Sequence, residues 1–147
     1  MNSDYKELAA QKGLPAIEEL KSEIDIDEES SAVADVLHSL RDRIGSFCKI
    51  AEEILQPETS PATMQECRVF TEQDKKELYR LYSELMVLDR KLLYGDVTRN
   101  TDFIAKAIGE VWEKLPSLKE RTAKIVNKML ESWSLDHGDE NYAEYFG

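Results

Sequence analysis

The chain has 147 residues, 30 acidic against 19 basic side chains, and a net charge of −11. That acidity disfavours DNA or an anionic membrane as the main partner, because both require clustered positive charge. No apolar run approaches the roughly 18 residues of a membrane span, residues 1–8 hold no apolar signal core, and two cysteines make no disulfide framework; the expectation is a cytoplasmic, reduced protein.

The charge is uneven. Residues 1–31 hold nine acids and three lysines, residues 132–147 four acids and no Lys or Arg, and residues 32–131 seventeen acids against sixteen bases. A nearly neutral middle therefore carries two acidic flanks. This divides the chain into one helical-bundle domain over 1–135 and an acidic, aromatic C-terminal tail over 136–147.

In chain order, Ser3 is the expected cap of a short helix over 4–12, with Gly13 ending it. Pro15 opens a second short helix that carries Ile17, Leu20 and Ile24 on one side. Both are too short to stand alone in water and must dock on the rest. Asp25, Asp27 and Glu29 then alternate as at the start of a calcium loop. Ser30 stands where that loop needs Gly, and Val36 where it needs a bidentate Glu, so a solvated link is expected instead.

The first long helix is expected over 30–55. Val33, Leu37, Leu40, Ile44, Phe47, Ala51 and Ile54 recur at alternating spacings of 4 and 3, a pattern that forms one stripe only on a helix. Pro57 stops it. Residues 56–70 read as a long loop. Thr71 and Asp74 form a capping box for a second long helix over 71–94, with Leu78, Leu81, Leu85, Leu88 and Leu92 as its seam and Gly95 as its stop. The short link to residue 100 predicts an antiparallel return.

The third long helix is expected over 101–133, kinked or broken at Pro116. Its seam, Ile104, Ile108, Val111, Leu115, Leu118, Thr122, Ile125 and Met129, passes through the proline without losing phase, which favours one kinked helix. Together these segments predict an all-α antiparallel bundle of three long helices plus short N-terminal ones, with crossing angles near 20°.

Three features invite functional readings. The first is His38, followed by Ser39, Leu40 and Arg41. This run resembles the phosphoacceptor helix of histidine phosphotransfer domains, where an exposed imidazole is the nucleophile and a nearby basic residue steadies the phosphoryl group. The resemblance implies His38 as phosphoacceptor and Arg41 as its support. It departs at Asp42, where those domains carry Gly. The H-box of histidine kinases is matched less well, since Ser39 and Arg43 replace its Glu and Pro. Ala34-Asp35-Val36-Leu37 resembles the nucleotide pyrophosphohydrolases of the MazG type. Ala32 replaces the Glu needed three residues before the Asp, so only Glu18, Glu19 and Glu23 remain for half of a magnesium site.

The second feature is the stripe Lys114, Arg121 and Lys128, spaced by seven, with Lys124 between. It reads either as a flank paired with Glu113, Glu120 and neighbouring helices or as a docking strip for an acidic partner. The third is the tail, where acids are interleaved with Tyr142, Tyr145 and Phe146, the residue types that anchor interfaces.

No Glu-x-x-His pair, zinc spacing or phosphate loop is present. No cofactor, catalytic residue, metal ligand or small-molecule substrate is therefore expected. The expected function is a non-enzymatic scaffold or protein-interaction subunit that binds another protein or itself. The alternatives are a histidine phosphotransfer module through His38 and a helical subunit of a nucleoprotein complex through the basic stripe.

Overall fold

The computed structural model describes residues 4–27, 29, 32–57 and 60–134. Their helices are α1 (Tyr5–Lys12), α2 (Ile17–Leu20), α3 (Val33–Leu55), α4 (Pro61–Cys67), α5 (Glu72–Thr98) and α6 (Thr101–Ser134). The three long helices pack on one another, α3 with α5, α5 with α6 and α3 with α6. Cross-helix contacts run in opposite order along α3 and α5 (Glu52 with Tyr82, Arg41 with Asp89, His38 with Asp96). The same holds along α5 and α6 (Lys128 with Asp74, Lys91 with Glu110). Both adjacent pairs are therefore antiparallel, α5 and α6 as their short link predicts. The seams do what their spacing requires: every side chain of the three seams, from Val33 to Met129, is buried.

Several boundaries differ from the expectation, each for a local reason. The cap of α1 is Asp4, whose side chain accepts from the Lys6 amide at 2.9 Å; Ser3 lies outside the described residues. Gly13 ends α1 at φ 67°, a conformation that costs other residues about 1 kcal/mol or more. α3 starts at Val33 rather than at 30. The presumed loop over 56–70 contains α4, nucleated by Ser60, which accepts from the Thr63 amide, with Pro61 in the first turn.

Gly95 does not end α5, which runs on to Thr98. A Cβ at Gly95 would lie 2.9 Å from Ile104 Cγ1, so glycine lets α6 pass close to α5 rather than stopping the helix. The stop is Arg99, at φ 57°, whose amide donates to the Gly95 carbonyl. α6 is a single helix through Pro116, which is exposed.

The N-terminal arm docks on the groove between α3 and α6. Its anchors Tyr5, Leu8, Ile17, Leu20, Ile24 and Ile26 are buried. The Tyr5 hydroxyl donates to the Pro15 carbonyl at 2.7 Å, and burial, with Glu19 adding, raises its phenol above the ordinary value. Lys12 pairs with Asp102, Glu23 with Lys119 and more loosely with Arg43, and Ser39 donates to the Asp25 carbonyl. Among the described residues no helix is long and apolar enough to cross a membrane.

Candidate functional site

The α3–α5 seam is edged by a polar ladder. Tyr82, Asp89 and Asp96 recur every seven residues on α5 and all face α3. Tyr82 donates to Glu52 at 2.7 Å. Asp89 is buried and held by a fork from Arg41, Nε at 3.0 Å and Nη2 at 3.4 Å, with Arg90 on the same carboxylate. That hydrogen bond raises the already high Arg41 pKa. Asp96 Oδ2 lies 3.3 Å from His38 Nε2. Asp96 Oδ1 is buried and 3.4 Å from Arg99 Nη2, but the angle makes no hydrogen bond.

This arrangement bears directly on the phosphotransfer resemblance. His38 is exposed, as a phosphoacceptor would be. Arg41, however, is turned to Asp89 rather than to the imidazole, and a carboxylate sits at the ring nitrogen, where it would repel an incoming phosphoryl group. The geometry suits His38 and Arg41 to joining α3 to α5.

The basic stripe lies along the α5–α6 seam. Lys114 and Lys91 both reach Glu110, at 3.0 and 2.9 Å; Arg121 pairs with Glu84; Lys128 pairs with Asp74 and stands 5.5 Å over the Phe70 ring. These cations hold the Glu110 and Asp74 carboxyls below the ordinary range, with the Thr71 amide also contributing at Asp74. Arg121 and Lys128 thus pair with the neighbouring helix, as the flank reading expects, whereas Lys114 takes Glu110 rather than Glu113. Only Lys124 stays with Glu120, at 3.8 Å, and both are more than 70% exposed.

The thiols are not activated. Cys48 is buried beside Met86 and pushed up to about 11 by burial, and burial also raises Cys67. Among the described residues, no group of three or more His, Cys, Asp or Glu is placed to hold a metal ion. Tyr142, Tyr145 and Phe146 lie outside the described residues.

The most distinctive surface feature escaped the reading of the main seams. Val87, Tyr94 and Val97 stand on the outer face of α5, 53%, 55% and 73% exposed. Phe103 of α6 meets Tyr94 edge-to-face at 4.7 Å, and Met86 and Lys91 help line the shallow hollow beside them. A second set, Val126, Leu130 and Trp133 on α6 with Met64 on α4, is exposed at the other end of the bundle. The signal was present: positions 87, 94 and 97, and 126, 130 and 133, are spaced by 3, 4 or 7, a second stripe on each helix beside the main one.

Comparison with protein families, curated proteins and solved structures finds no match.

Proposed function

We propose that this chain is a cytoplasmic helical protein-interaction subunit that binds its partner through the outer face of α5. The observation carrying this reading is the ridge of Val87, Tyr94 and Val97 with Phe103 beside it. Apolar side chains aligned on a helix exterior make a surface that another helix can cover. Tyr94 supplies a large contact area with few rotamers to freeze, as interface anchors do. The rim cations Arg90 and Lys91 are already paired with Asp89 and Glu110, which leaves the ridge to act mainly through apolar burial. Free thiols at Cys48 and Cys67 support a reducing compartment.

Cross-linking mass spectrometry on the protein in its own cells, together with sedimentation at rising concentration, tests the reading. The expected result is a partner, foreign or a second copy, cross-linked around residues 87–103 and lost in Val87→Glu/Val97→Glu. A chain that stays monomeric and yields the same cross-links with and without those substitutions would defeat it.

A further inference from the structure

A second feature lies on the same side of the bundle but is separate from the ridge. Between the first half of α5 and the last third of α6 is a cleft of about 350 Å³. The edges of Phe70, Leu78, Leu81 and Ile125 form its floor, and Arg80, Arg121, Lys124 and Lys128 stand around it against Asp74 and Glu77. In a chain of net charge −11 this lining is net positive. Two of the cations are engaged, Arg121 with Glu84 and Lys128 with Asp74. The other two are not held in this way. Among the described residues Arg80 makes no ion pair, and Lys124 has only Glu120, 3.8 Å away and largely exposed.

A small inorganic anion would leave the apolar floor unused, and a purely apolar helix would leave Arg80 and Lys124 unmatched. The fitting ligand is an extended segment with carboxylates and aromatic rings together. Its rings would lie on the floor and on the aliphatic stems of the Arg and Lys side chains, which readily cover apolar surface. Residues 135–147 have that composition: Asp136, Asp139, Glu140 and Glu144 without Lys or Arg, and Tyr142, Tyr145 and Phe146.

They also follow directly on Ser134, the last residue of α6. At a rise of 1.5 Å per residue, Lys128 and Arg121 lie about 9 and 20 Å back from that point. Thirteen extended residues span up to about 43 Å, enough to reverse and bring the aromatic positions over the cleft. We infer that the cleft between α5 and α6 is a docking site for an acidic aromatic segment, and that its occupant is residues 135–147 of the same chain. The partner ridge on α5 is a different surface, so the two readings stand or fall separately.

The test uses the full chain with Tyr145 replaced by the photo-cross-linker p-benzoylphenylalanine. Equal amounts of light and heavy isotope-labelled protein are mixed, irradiated and mapped by mass spectrometry. Cross-links to residues 70–81 and 121–128, within one isotope and independent of concentration, are expected. In Arg80→Glu/Lys124→Glu their yield should fall about fivefold, the effect of two exposed ion pairs reversed. Both positions are exposed, and circular dichroism checks that the variant keeps its helices. Cross-links only between isotopes would assign the cleft to a second copy and overturn the same-chain occupant. Cross-links elsewhere on the chain, or an unchanged yield in the charge-reversed variant, would overturn the cleft itself.

Discussion

The two halves of one flank of α6 face opposite circumstances. Trp112, Lys119, Val126 and Trp133 are spaced by seven and lie along the same side of the helix. On the earlier half the N-terminal arm covers this side: Leu14 packs on Gly109, and Glu23 binds Lys119. On the later half, among the described residues, α4 is the element that approaches, through Gln65, whose side chain donates to the Ser132 carbonyl, and through Glu66, which accepts from the Trp133 indole. Val126 and Leu130 remain exposed there. The covered half shows what a partner for the open half must supply, namely a few aliphatic anchors and a carboxylate or two at the rim. An apolar flank on a helix thus does not reveal whether the chain itself provides its cover.

Substitutions on the two halves should separate them. The largest effect is expected on the covered side, where Leu20→Ala removes a side chain with no exposure and should cost about 2–5 kcal/mol. Urea denaturation measures the loss, and hydrogen exchange should show the added opening around residues 102–119. Next comes the ladder that holds α3 to α5. Asp89→Asn leaves Arg41 without its carboxylate in a half-buried site and should cost about 1–3 kcal/mol; Asp89→Asn/Arg41→Met should recover part of it. Gly95→Ala should cost about 1 kcal/mol in a thermal melt, because the clash with Ile104 outweighs the gain in helix propensity. The smallest change is expected on the open side, where Leu130→Ala should stay within about 0.5 kcal/mol. A large loss there would mean that the open half is covered after all.

Acid should act on the other flank of α6, the one facing α5. Asp74 and Glu110 have carboxyl pKa values lower in the folded chain than in the unfolded one. Such groups add stability that is fully present above the unfolded value and is lost as pH falls through the folded one. Denaturation midpoints should therefore decline as pH drops below about 4. Lys128→Met should flatten that decline.

What was legible in the sequence follows from what periodicity encodes. A 4–3 spacing specifies which face of a helix is buried, so the three long helices and their core were readable. It is silent about where one helix sits along another. The pairing of Arg41 with Asp89 rather than with a phosphoryl group, and of Lys128 with Asp74, was therefore not readable. α4 was hidden because seven residues, the first of them Pro61, carry too little periodicity. Gly95 was misread because glycine after a helix is usually a stop, whereas here the reason is the close approach of Ile104. The outer ridge was passed over because one stripe per helix was sufficient to explain the bundle.

The ladder on α5 has a consequence for alignment. Its rungs, Tyr82, Asp89 and Asp96, are evenly spaced, but their partners on α3, Glu52, Arg41 and His38, are not. If α5 slid by one heptad in one direction, the apolar seams would still mesh, but Asp89 would come to face Glu52, carboxylate against carboxylate. A slide the other way would bring Tyr82 opposite Arg41 and leave the guanidinium without a counter-charge. Hydrophobic seams built mostly from leucine and isoleucine tolerate such slips. The mismatched spacing works like a vernier, with one setting at which all three marks coincide, so this polar edge selects a single alignment from several that the core alone would accept.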